Sequence, residues 1–206
     1  MRIITGIARN TPLASLEGDE TRPTSERVKE ALFSMIQFEI EGRRVLDLFA
    51  GSGQLGLEAI SRGADHATFI DNSRAACDVI IANAKRAKLF DKCRVSATDH
   101  TAALKSAAGR ETYDIVFIDP PYASGLVAPS LRLIADGKLL APNATVVCET
   151  PAPPAGKKGH RRDEDSSAEV LDRVFGGDKE LAKHFRVKKT SAYGITRITL
   201  LEEVAD

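Results

Sequence analysis

An excess of charge of either sign is missing from this chain. Lys plus Arg and Asp plus Glu each number 29, so the formal net charge is zero and the pI is near 6.9. Bulk composition therefore draws the protein neither to nucleic acid nor to an anionic membrane, and any basic surface has to be local. Cysteine is scarce as well: Cys77, Cys93 and Cys148 are far apart, which fits neither a disulfide framework nor a zinc site, and four scattered histidines add no metal-ligand spacing. No apolar run approaches a membrane span, and the opening Met1-Arg2-Ile3-Ile4-Thr5 lacks the apolar core of a signal peptide. The expectation is a soluble, cytoplasmic, metal-free protein. Its 206 residues suffice for one domain with a proper core, and nothing in them demands more than a monomer.

What is present is organised around the stretch from Val45 to Gly56. Val45-Leu46-Asp47-Leu48 reads as a buried strand, Gly51-Ser52-Gly53 as a tight turn, and a helical pattern follows from Leu55 to Ser61. Strand-like runs then alternate with helical ones. His66 to Asp71, a weak run Arg94 to Ala97, Tyr113 to Ile118 and Ala144 to Glu149 are separated by a helix capped by Ser73 and another over Val127 to Asp136. Such alternation predicts an α/β fold with a doubly wound, mostly parallel sheet. Phe185 to Thr190 and Ile195 to Leu200, joined around Tyr193-Gly194, add an antiparallel pair at one edge.

Residues 1–38 read as an N-terminal extension of a short β-like start, a polar loop and a helix. The helix starts at Pro23-Thr24-Ser25-Glu26, and Val28, Ala31, Leu32, Met35 and Ile36 form its apolar face. Residues 39–206 hold the main domain, interrupted at about 151–168 by a proline-rich, basic insert without apolar periodicity, which predicts a mobile loop or lid.

Two signals carry chemistry. Gly51-x-Gly53-x-x-Gly56, with Asp71 ending the next strand, formally matches a dinucleotide fingerprint, and a nicotinamide-dependent oxidoreductase is one reading. Asp47 before the turn favours S-adenosylmethionine, whose ammonium needs an acid near the loop and which has no pyrophosphate to seat. Asp99, after the third strand, can accept from the adenine amine or can cap a helix. The second signal, Asp119-Pro120-Pro121-Tyr122, follows a buried strand. Consecutive prolines remove N–H donors and fix the backbone so that carbonyls face outward. An acid, outward carbonyls and an aromatic face make a receptor for a planar base with an exocyclic amine. Tyr122 would stack on the base, worth about 1–3 kcal/mol.

With these blocks in this order, the chain resembles the bacterial small-subunit (16S) ribosomal RNA guanine-N2 methyltransferases, which have a seven-stranded, Rossmann-like, S-adenosylmethionine-dependent class I fold. The likeness rests on Met1 to Ile4, Thr21 to Ser25 leading Arg27 to Phe33, Val45 to Gly63, Asp119 to Tyr122, and Tyr193-Gly194-x-Thr196. It implies a cofactor over Asp47, Phe49, Ala50, Gly51, Ser52 and Gly53, over Asp71 with Asn72, and over Asp99 with His100. It also implies a target guanine against Asp119 to Tyr122, and RNA received by Arg22, Thr24 and Arg27. The expected partner is 16S rRNA, within a small subunit or an assembly intermediate. Residues 1–27 contain four Arg (2, 9, 22, 27) against four acids (17, 19, 20, 26), so this arm carries no net charge. Lys157 to Arg162 in the insert are expected to supply phosphate contacts in its place. A DNA adenine-N6 or cytosine-N4 methyltransferase would use the same tetrapeptide, but such enzymes need a sequence-reading region for which this chain has little spare length.

Overall fold

The computed structural model describes residues 1–16, 26–121, 124–152 and 167–204. Among them a seven-stranded sheet forms the centre. Its strands are β1 (Arg44–Asp47), β2 (His66–Asp71), β3 (Cys93–Ala97), β4 (Tyr113–Ile118), β5 (Leu140–Pro151), β6 (Phe185–Tyr193) and β7 (Thr196–Glu203), in the spatial order β3-β2-β1-β4-β5-β7-β6. The first five run parallel, while β7 pairs antiparallel with both β5 and β6. The order reverses between β1 and β4, so the crevice outside their carboxyl ends is where an open α/β sheet binds ligands.

Alternation along each strand explains the two-sided burial. Val45, Ile115, Phe117 and Val147 face a core they share with α1 (Glu26–Met35), α2 (Gln54–Ser61) and α3 (Arg74–Arg86). Leu46, Val116, Ile118 and Val146 face a second core with α4 (His100–Ala107), α5 (Val127–Asp136), α6 (Ser167–Phe175) and α7 (Lys179–Lys183). A strand covered on both faces reads as a continuous apolar run, as Ile115 to Ile118 does.

Several elements differ from the sequence expectation. β5 starts four residues before the apolar run at Ala144, because Leu140 already pairs with Tyr113 ahead of a register shift. Asn143, at φ 61°, falls within that irregular stretch. Pro151 ends β5 and Ser167 opens α6, so the predicted loop at 151–168 is bounded more tightly; 153–166, including Lys157 to Arg162, lie outside the described residues. The β-like start is a single bridge, Arg2 to Pro12, within a turn-rich segment.

The N-terminal residues are tied into the core through α2. Glu58, without exposed surface, accepts hydrogen bonds from the backbone N–H groups of Ile4 at 2.7 Å and Thr5 at 3.0 Å and from Arg62 Nε at 2.8 Å. Lys29 of α1, equally buried, places Nζ 3.5 Å from Glu58 and donates to the Arg2 carbonyl at 2.6 Å. Burial lowers the Lys29 pKa, and the charge of Glu58 opposes that shift. Ile3, Val28, Leu32, Phe33 and Ile36 join the same core as the sheet.

Candidate active site

The glycine turn is built by close packing. Gly51 (φ 52°) and Gly53 (φ 77°) take left-handed conformations that other residues rarely adopt. A Cβ on Gly56 would lie 2.3 Å from the Phe69 ring, so this third glycine lets α2 approach β2. Asp47 is fully buried beneath the turn, its Oδ2 accepting from the Gly56 N–H at 3.0 Å. Burial, reinforced by the nearby Asp71 charge and opposed by the Gly56 bond, pushes its pKa up to about 7.

A cleft of about 690 Å³ opens at the carboxyl ends of the strands. It brings together Phe49, Gly51, Asp71, Asn72, Asp99, His100, Asp119, Pro120 and Pro121 of the residues expected from the sequence. Ala50, Ser52 and Gly53 shape the turn behind it, and Asp47 braces that turn from below without lining the cleft. Arg27 is exposed on the first turn of α1. Arg22, Thr24 and Tyr122 lie outside the described residues.

Two of the acids in the wall, Asp71 and Asp99, are held by backbone N–H groups. Asp71 accepts from the Gly51 N–H at 2.9 Å and the Ser73 N–H at 2.8 Å, which fixes its carboxylate at the cleft edge. Asp99 is the N-cap of α4, accepting from Thr101 N at 2.9 Å and Ala102 N at 3.3 Å; its other oxygen is 3.2 Å from His100 Nδ1. The cap reading of Asp99 is thus realised, and its side chain still borders the cleft. The Phe49 and His100 rings are 5.0 Å apart and tilted by 43°, giving the cleft an aromatic corner.

This geometry separates the two cofactor readings. In a dinucleotide site the N–H groups at the start of α2 would receive the pyrophosphate. Here the Gly56 N–H is already bound to the Asp47 carboxyl group and is not open to a phosphate. A cationic, phosphate-free nucleoside suits the donor set: Asp71 for the ribose hydroxyls, the aromatic corner for the base, and open space in front of Gly51, where a Cβ would meet nothing within 4 Å.

Sequence reasoning did not assign a role to Leu16, Leu48, Leu126 or Glu149, all of which line the cleft. For Glu149 a signal existed. It is the acid that closes the apolar run from Ala144, two residues before β5 ends, much as Asp47 ends β1 and Asp71 ends β2.

Comparison with known proteins identifies the family and the fold. The family model described as "Conserved hypothetical protein 95" matches residues 1–162. The chain belongs to this family. It is 40% identical over 150 residues to the Bacillus subtilis protein named "Putative rRNA methyltransferase YlbH", covering 72% of this chain and 82% of that one. It is 35% identical over 182 residues to the Escherichia coli "Ribosomal RNA small subunit methyltransferase D", covering 85% and 89%. The solved structure titled "Putative methyltransferase yhhF from Escherichia coli" superposes with a TM-score of 0.75 at 29% identity, covering 100% of this chain and 99% of that one. The fold is therefore that of the S-adenosylmethionine-dependent methyltransferases. No helix among the described residues is long and apolar enough to cross a membrane, and no cluster of metal-ligating side chains occurs among them.

Proposed function

We propose that this chain transfers a methyl group from S-adenosylmethionine to the exocyclic N2 amine of a guanine in 16S ribosomal RNA, presented in a small subunit or an assembly intermediate. The observation that carries the reading is that Asp119 and its two prolines line the same cleft as Gly51, Asp71 and the Phe49–His100 corner. A base-receiving wall thereby faces a nucleoside-binding wall. The names of the relatives support the substrate class.

S-adenosylmethionine supplies an electrophilic methyl on a sulfonium. Asp71 holds the ribose, Phe49 and His100 with Asp99 receive the adenine, and Asp47 holds the turn in shape through the Gly56 N–H. Asp119 and the Pro120 carbonyl accept the two amine hydrogens of the guanine. That keeps the nitrogen lone pair out of the ring system and directs it at the methyl. The N–C bond forms as the S–C bond breaks, S-adenosylhomocysteine leaves, and the surplus amine proton passes to Asp119 or to solvent. Tyr122 stacks on the base. Arg22, Thr24 and Arg27, in the extension formed by residues 1–38, receive the RNA.

The test is an Asp119→Asn variant assayed beside wild type on small subunits from cells lacking the enzyme. Wild type should produce N2-methylguanosine; the variant should lose at least about 100-fold in rate while binding S-adenosylhomocysteine within a few-fold of wild type. A variant with undiminished transfer would remove Asp119 from the mechanism.

A further inference from the structure

The wall of Asp119, Pro120 and Pro121 reads an amine, and an amine is common to guanine, adenine and cytosine. What differs is the adjacent ring nitrogen: guanine N1 carries a hydrogen, whereas adenine N1 and cytosine N3 carry a lone pair. A guanine enzyme built on this wall needs an acceptor for N1–H that the tetrapeptide itself does not supply.

The geometry points to Glu149 as the residue that selects guanine, its carboxylate accepting the N1–H; this rests on the guanine-N2 reading above. Ile118, the last residue of β4, and Cys148 of β5 are register partners in parallel strands, and continuing that register by one residue sets Asp119, just past β4, beside Glu149, two residues before β5 ends; both line the cleft. Side chains at matched positions of parallel strands project from the same face. Glu149 is 5% exposed, and its exposed surface borders the cleft that holds Asp119. Pro120, Pro121, Leu126 and Glu149 also border a second cleft of about 350 Å³, so Glu149 sits in the wall shared by the two. A base whose amine lies against Asp119 and the Pro120 carbonyl turns its ring nitrogen toward the neighbouring strand end. There the carboxylate accepts N1–H from guanine as a charge-assisted hydrogen bond and repels the lone pair of adenine or cytosine.

The test combines a variant with a changed base. Small subunits are reconstituted with the mapped target guanosine either kept or replaced by 2-aminopurine, which retains the N2 amine but has a lone pair at N1. Wild type should methylate the 2-aminopurine substrate on the order of 100-fold more slowly. Glu149→Gln, whose amide can donate to that lone pair, should lose activity on guanosine and narrow the gap between the two bases to a few-fold. Equal wild-type rates on both bases would overturn the proposal, as would the full gap persisting in Glu149→Gln. Bound S-adenosylhomocysteine and an unchanged melting temperature report that the variant is folded. If it is not, Glu149→Asp, which keeps the charge but withdraws it, should lower guanosine transfer at least tenfold and shrink the gap; the full gap would again overturn the assignment. Absence of wild-type transfer to guanosine would instead mark failure of the guanine-N2 reading itself.

Discussion

Asn83 of α3 donates from Nδ2 to the Ser52 carbonyl of the glycine turn at 2.9 Å. The same fully buried amide donates to the Ala14 carbonyl at 3.0 Å and accepts from the Ala14 N–H at 2.8 Å. One side chain thus joins the cofactor turn to the N-terminal segment, which reaches the cleft two residues later at Leu16. Asn83→Ala leaves these backbone groups without their partner. Stability should fall by about 3 kcal/mol in urea denaturation, and S-adenosylmethionine should bind at least tenfold more weakly by calorimetry. Unchanged affinity would show that the turn holds its shape without Asn83.

The Lys29–Glu58 pair ties the same segment to α2 from below. Because both side chains are without exposed surface, removing one leaves the other charged and buried. Glu58→Ala should destabilise by about 3–5 kcal/mol, and the Lys29→Met, Glu58→Leu double variant should recover part of that loss. A double variant as unstable as the single one would locate the cost in the Ile4 and Thr5 backbone bonds instead.

These contacts mark the limit of what the sequence made legible. The Gly51 and Gly53 turn, the acids at the strand ends and the Ser73 cap were readable because each depends on neighbours within a few residues. Asn83 was recognisable as lying in phase with a buried helical face, but its partners are residues 14 and 52. Glu58 went unmarked in the sequence, since what satisfies it comes from residues 4, 5, 29 and 62. Asp47 is legible as an acid before the turn, but its bond to the Gly56 N–H depends on how α2 packs over the strands. Helices α6 and α7 followed a stretch whose prolines and charges masked the return of helical periodicity.

Asp47 also predicts a pH dependence. Its carboxyl titrates near 7 in the folded protein against 3.8 ordinarily, so between those values the folded state holds a proton that the unfolded chain has released. This contribution to stability therefore declines as pH rises from about 4 to 7 and is flat above, amounting to about 4 kcal/mol. Asp47→Asn should abolish that slope in urea titrations without cofactor. An unaltered slope would show that Asp47 stays ionised throughout.

If Lys157, Lys158, Arg161 and Arg162 contact phosphates, replacing all four by Gln should weaken RNA binding and reduce the slope of log affinity against log salt by up to about 3. Parallel salt plots for wild type and variant would assign those residues to solvent.

Methyl transfer from labelled S-adenosylmethionine, run in parallel on unmethylated small subunits, protein-free 16S RNA and duplex DNA and followed by digestion to nucleosides, tests the account most directly. It predicts label in N2-methylguanosine from a ribosomal substrate, with the ratio between subunits and free RNA reporting the preferred assembly state. Label confined to methyladenine or methylcytosine from DNA, or no transfer by protein that binds S-adenosylmethionine, would contradict it.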